Sequence, residues 1–251
     1  MFSNQLLATL SPEDRDALNA ALEPVKLEVK QTLHEPDRPI TQVYFPTNGV
    51  VSLVNEPDPG EVVEIATIGR EGIIGLPVIF HTDTMPYRAF VQVPGEAFRL
   101  QATSFTRFVS EHAGFRAVLM RYTMALLNQV GQNASCNRVH EVQERCARWL
   151  LQTHDRMDGD VFPLTHEFLA QMLGVHRPTV SIAAGMLQKA GLHRTAQSAR
   201  TMPATAPLAP SPPKTAPAAS SWRTGQTRPS PGSLVSSPQP LPTIPLRHTI
   251  S

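Results

Sequence analysis

The stretch Leu164–Leu192, LTHEFLAQMLGVHRPTVSIAAGMLQKAGL, constrains the fold more than any other part of the chain. It reads as two short helices separated by one glycine. Phe168, Leu169, Met172 and Leu173 recur at helical spacing, behind Thr165 as a helix cap and Glu167 as an early negative charge. Gly174 stands where a sharp turn needs a residue free to take a positive φ. The second helix starts near His176, with Pro178 in its first turn, where a missing N–H costs nothing. Val180, Ala183, Ala184 and Leu187 form its inner stripe, and small Ala170, Gly174 and Val180 let the two helices cross closely. That is a helix-turn-helix pattern.

If Val180 and Ala184 face inward, then Arg177, Ser181, Ile182 and Gly185 face outward. Arginine at the leading end of an exposed helix suits the major groove, where its fork bonds O6 and N7 of guanine. His176, Thr179 and Ser181 have the size and donors for phosphate oxygens, and Thr165 joins them in the expected DNA-contacting set. Spacing alone leaves open an ordinary helical hairpin with a solvated Arg177.

The segment resembles the DNA-reading motif of the bacterial Crp/Fnr superfamily. The resemblance implies that Arg177 reads guanine and that Thr179 and Ser181 contact phosphate or base. Ile182 falls where the superfamily's cyclic-AMP receptor protein has a second base-reading arginine, which implies a different operator. The likeness continues upstream through Cys136–Arg156, CNRVHEVQERCARWLLQTHDR, and more loosely to the N-terminus. It ends near Leu192.

Charge is split along the chain. All 21 Asp and Glu residues lie at or before Glu167, with 14 of the 22 Lys and Arg, while the remaining 8 basic residues follow it. An acidic body with a basic end fits a protein that meets nucleic acid at one end. Cys136 and Cys146 are too few for an iron–sulfur cluster and lack zinc spacing, so no metal or cofactor is expected. Of redox sensing and simple burial for these thiols, burial is the expected state. The reduced thiols, the absence of a signal-peptide pattern and the lack of a long apolar run predict a cytoplasmic protein with no membrane contact.

Ser11-Pro12-Glu13-Asp14 opens a helix with a cap, a first-turn proline and acidic residues. After Pro24 the apolar period becomes two, at Val25, Leu27 and Val29. Strand-like runs follow at 42–45, 50–54, 62–68, 88–93 and 97–100. Turn-rich breaks are expected at 35–37, 46–49, 57–60 and 94–95. This pattern predicts a small antiparallel roll or barrel, and the family resemblance implies an effector-sensing β-roll.

In cyclic-nucleotide-binding relatives a loop Glu holds the ribose and a nearby Arg holds the phosphate. Aligning Gly75-Leu76 on the family's glycine–leucine pair puts Ile73 at the Glu position. Aligning Phe90-Val91 puts Tyr87 at the Arg position and Arg88 one residue later, on the opposite face of a strand. The candidate effector pocket is therefore Glu71, Gly72, Ile73, Gly75, Tyr87 and Arg88, with Glu71 and Arg88 as surface or substitute charges. A ligand other than a cyclic nucleotide, or none, is expected.

Phe115, Val118, Leu119, Tyr122, Ala125, Leu126 and Gln129 restore the helical period, as either an intramolecular face or a two-helix seam. The resemblance implies a seam, with a homodimer formed through residues 115–130. Arg138–Arg156 reads as one amphipathic helix with Val142, Cys146, Trp149 and Leu150 inward. His140-Glu141 and His166-Glu167 open like a zinc-protease motif, but Glu144 and Ala170 stand where the second His belongs. No catalytic constellation is present in the sequence, so an enzyme is not expected.

From His193 the chain is rich in Pro, Ala, Ser and Thr, with half of its 24 prolines and no acid. Such a tail is expected to be disordered. Relatives continue into a two-stranded wing here, so the abrupt departure suggests a frameshift, with a genuine extension as the alternative. The α+β organisation expected is a β-roll over 1–107, a dimerisation helix over 108–136, a helix-turn-helix domain without its wing over 137–195, and a tail over 196–251. Expected partners are double-stranded DNA, a second copy of the chain, a small-molecule effector or none, and RNA polymerase as a further candidate. The function implied is a homodimeric transcription regulator reading a palindromic operator. The alternative is a dimerising interaction protein with a defective DNA-binding domain.

Overall fold

The computed structural model describes residues 3–58, 61–157, 162 and 164–189. The tail, the wing position and the expected break at His193 lie outside them.

The chain begins with a short helix α1 (Gln5–Ala8), whose cap Asn4 accepts from the N–H groups of Leu6 and Leu7. Asn4 is fully buried, and its Nδ2 donates to the carbonyls of Pro46 and Gly72, 2.9 Å from each. One polar side chain thus pins the start of the chain to the sheet. Helix α2 (Pro12–Asn19) starts as its sequence requires, with Ser11 Oγ accepting the Asp14 N–H at 3.1 Å.

Five strands follow: β1 (Glu23–Leu27), β2 (Thr32–His34), β3 (Gln42–Asn55), β4 (Val63–Ile68) and β5 (Arg88–Gln101). All pairings are antiparallel, in the order β1-β5-β3-β4, with β2 also on β5. The spine is the pair of 14-residue strands β3 and β5. Two breaks expected from composition need correction, because both strands run straight through 46–49 and 94–95. The two stretches face each other, and the register slips between Pro46 and Asn48 and again on to Val50 and Val51. Gly49 takes φ +82° there, Thr47 Oγ1 donates to the Glu96 carbonyl at 3.0 Å, and Asn48 Oδ1 accepts the Glu96 N–H at 2.8 Å. Turn-forming residues on two adjacent strands have made one shared bulge that bends the roll. At 35–37 the turn is real, with Asp37 at φ +54°.

The roll closes with α3 (Ala102–Glu111) and a long helix α4 (Ala113–Val139). Phe105 stacks edge-on against Phe45 at 5.7 Å and Phe115 at 6.5 Å in the main core. The long helix starts at Ala113 rather than 108, because His112 leaves helical geometry, stacks on Phe108 at 3.9 Å and reaches Asp14 at 3.2 Å.

Next come α5 (Val142–His154), α6 (His166–Leu173) and α7 (Arg177–Lys189). The single helix expected over Arg138–Arg156 is instead the end of α4 and the whole of α5. Glu141 caps α5 and receives Glu144 in return, a reciprocal capping box that forces a break. The His140-Glu141 pair is therefore a helix boundary. A second core joins Val54, Val62 and Phe90 of the roll to Cys146, Trp149, Leu169, Val180 and Leu187 of the last three helices.

Candidate DNA-reading face and effector pocket

Helices α6 and α7 carry the geometry their sequence demands. Thr165 Oγ1 accepts the Phe168 N–H at 3.1 Å to start α6, and Gly174 ends it at φ +61°. The α6 C-terminus receives a further donor, since Arg145 of α5 bonds the Leu173 carbonyl. Val180, Ala183, Ala184 and Leu187 are all buried, and Arg177, Thr179, Ser181 and Ile182 are exposed, Ile182 by 67%. His176 is exposed just before the helix, and Thr165 is exposed as a cap.

The outward groups differ in how free they are. Arg177 Nε lies 3.8 Å from Glu167, with both side chains largely in water, and such a pair is worth little. Ser181 Oγ donates to the Arg177 carbonyl at 3.1 Å and sits 3.0 Å from His166 Nδ1, so its hydroxyl is oriented before any ligand arrives.

The roll and α4 frame an open cavity of about 310 Å³. Of the sequence-assigned pocket residues, Ile73, Gly75 and Tyr87 line it, together with Leu53, Ile68 and Leu126 of α4. Glu71 and Arg88 are not in its wall. Glu71 Oε1 accepts from Arg156 Nε at 2.7 Å, and Arg88 pairs with Glu56 at 2.5 Å while covering the Phe90 ring at 5.1 Å. Gly72 sits beneath Tyr122 of α4, where a Cβ would fall 2.1 Å from the tyrosine hydroxyl. The absence of a side chain there lets the long helix close on the roll.

On α4 the stripe read from the sequence is chiefly the inward face. Phe115, Leu119 and Tyr122 are buried in the roll's core, with Val118 and Leu126 packed against it. A second stripe, Ala117, Met124, Leu127, Gly131 and Ala134, follows heptad spacing and faces outward, while Met120 at the same spacing packs partly on the core. Met124 is 55% and Leu127 59% exposed.

Sequence reasoning missed the polar seam between roll and α5. Trp149 Nε1 donates to Glu64 at 2.6 Å, Ser52 Oγ donates to Gln92 Oε1 at 2.7 Å, and Gln92 Nε2 donates to Thr153 Oγ1 at 3.0 Å. Burial lifts the Glu64 carboxyl to about 7, against the pull of Ser52, Trp149 and the more distant Arg156 and Arg148. The signal was present: Glu64, Ala66 and Ile68 share one face of β4, with Val62 in step just before it, and a lone carboxyl on an apolar face is out of place. Both cysteines are buried and free. Burial pushes the Cys146 thiol to about 11, so it stays protonated and unreactive. Among the described residues no cluster of metal-ligating side chains occurs, and no helix is long and apolar enough to cross a membrane.

A β-roll, a long connecting helix and a helix-turn-helix with an exposed leading arginine are the architecture of a DNA-binding transcription regulator. The cyclic nucleotide-binding domain family matches residues 24–112, and the Crp-like helix-turn-helix domain family matches 144–202, together more than half of the chain. The chain belongs to the Crp/Fnr superfamily of transcription regulators. The second match runs ten residues past Leu192, beyond the point where the likeness was expected to end. No curated protein matches by sequence.

Solved structures share the fold at low identity. The c-di-GMP-responsive global regulator CLP of Xanthomonas campestris is 17% identical over 74% of this chain and 97% of its own, with TM-score 0.60. FixK2 of Bradyrhizobium japonicum is 17% identical over 70% and 88%, with TM-score 0.61. A CRP-family transcriptional regulator of Thermus thermophilus is 18% identical over 68% and 88%, with TM-score 0.57.

Proposed function

We propose that this protein is a sequence-specific transcription regulator that acts in the cytoplasm as a homodimer and reads a palindromic operator through α7. The observation that carries the proposal is the division of α7: four apolar residues sealed in the core, with Arg177, Thr179, Ser181 and Ile182 in water. Arg177 reads a guanine, Thr179, Ser181, His176 and Thr165 hold phosphates, and Ile182 presents an apolar surface to the bases. The outward stripe of α4 supplies the seam. Large apolar side chains at Met124 and Leu127 beside small Ala117, Gly131 and Ala134 suit close packing of two parallel helices. Pairing there sets two copies of α7 about one DNA turn apart. The β-roll cavity is the effector site, and RNA polymerase is the partner on the promoter.

Selection of bound sequences from a random DNA pool tests this. The expected outcome is an inverted repeat with guanine in each half-site and affinity that falls steeply with salt. Recovery of no preferred sequence from a folded dimer rejects it.

A further inference from the structure

We propose that the β-roll cavity binds an uncharged, mainly apolar small molecule rather than a nucleotide or another anion. The proposal rests on the effector reading above and names the chemistry of its ligand. At about 310 Å³ the cavity has roughly ten times the volume share of a liquid water and reaches the size of small-ligand sites. Leu53, Ile68, Ile73 and Leu126 give it an aliphatic wall. Its polar side chains are the hydroxyls of Thr82, Thr84 and Tyr87. Among the described residues, no lining side chain is charged.

An anion placed there would lose its hydration without gaining a cation, a heavy penalty for a charged group. Arg88, the basic residue assigned to the pocket from the sequence, cannot turn in cheaply. Arg88 is held by Glu56 at 2.5 Å and lies over Phe90, and Glu71, the nearby acid, is held by Arg156 at 2.7 Å. An apolar ligand meets the opposite situation. Phe80 lines the cavity yet leaves 48% of its surface in water, so a ligand seated beside it removes apolar area from solvent. Leu126 comes from α4, so the ligand touches the roll and the long helix at once. The fitting molecule is a ring system or aliphatic chain of about ten to twenty non-hydrogen atoms, with at most one hydrogen-bonding group for the threonine and tyrosine hydroxyls.

The test is a fluorescence titration of the full chain, without DNA, using the uncharged probe N-phenyl-1-naphthylamine. Saturable binding is expected, with displacement by 1-decanol but not by decanoate or cyclic AMP. Leu126→Trp and Thr84→Trp each fill the cavity, and each is expected to weaken probe binding at least about tenfold while the protein stays folded. Should one variant fail to fold, the other is decisive. The proposal is overturned if folded wild-type protein shows no saturable binding. It is equally overturned if decanoate or cyclic AMP displaces the probe as well as decanol does, or if a folded filled variant binds it unchanged. Operator binding is measured separately. Probe binding without operator recognition rejects only the regulator, and operator recognition without probe binding rejects only this ligand.

Discussion

Trp149 Nε1 donates a 2.6 Å hydrogen bond to the buried carboxylate of Glu64, tying α5 to a strand 85 residues earlier in the chain. Among the described residues Glu64 Oε1 accepts no hydrogen bond; the nearby Ser52 hydroxyl donates to Gln92, whose amide donates to Thr153. A half-satisfied carboxylate in an apolar seam is stabilised by keeping its proton. One titratable group therefore lies in the contact between the roll and α5, beside the apolar core formed by Val54, Phe90, Cys146 and Trp149.

Glu64→Gln should remove that pH dependence. The carboxyl is raised from 4.5 to about 7 in the fold, so the folded state holds the proton more tightly than the unfolded chain. Its contribution is fully present below pH about 4.5, declines as pH rises, and is lost above pH about 7. A shift of this size corresponds to of order 3 kcal/mol. Denaturant unfolding at pH 5 and pH 8 should show wild type losing stability relative to the Gln variant as pH rises. Parallel pH profiles for the two proteins would refute the assignment.

Leu127→Glu should separate the subunits without unfolding them. Leu127 is 59% exposed within one chain, so a charge there costs the monomer little. Two such charges facing each other across a helix seam are repulsive. Sedimentation should give a monomer with wild-type circular dichroism and operator affinity reduced at least about tenfold. An unchanged dimer would move the seam elsewhere.

Arg177→Ala should cost about 1–3 kcal/mol in operator binding and relax the preference for guanine at one position of each half-site. Glu167, 3.8 Å away and exposed, offers little competition for the arginine. Binding selection with the variant reads this directly, and an unaltered guanine preference would rule the contact out.

Gly49→Ala should destabilise the roll by at least about 2 kcal/mol. The residue sits at φ +82°, and an added Cβ would lie 2.8 Å from the Val93 carbonyl oxygen. Gly131→Ala on exposed α4 meets nothing within 4 Å and should leave the isolated subunit equally or more stable, by about 0.5–1 kcal/mol. Chemical denaturation of both variants at a concentration that keeps the chain monomeric separates the two effects.

The helix-turn-helix was legible because its rules are local. Thr165, Gly174 and the Val180–Leu187 stripe each act within one or two turns, and each appears as the spacing requires. The β-roll was legible in its strand-forming runs. The bend at Asn48 and Gly95 was not, since composition marks both stretches as turns and only their pairing reveals a shared bulge. The outward stripe of α4 escaped notice for a similar reason. The stronger apolar stripe, with Phe115, Leu119 and Tyr122, went to the roll's own core, leaving the weaker one outside.

By itself the sequence determined most of the strand and helix runs, the capped and glycine-broken helix pair and the outward place of Arg177. These depend on backbone propensity and side-chain period, which neighbouring residues set. Only the tertiary structure decided that Arg88 and Glu71 turn away to Glu56 and Arg156, that the cavity is left apolar, and that Glu64 meets Trp149. Those outcomes come from contacts between residues far apart in the chain, where burial and charge pairing choose among partners that local pattern cannot tell apart.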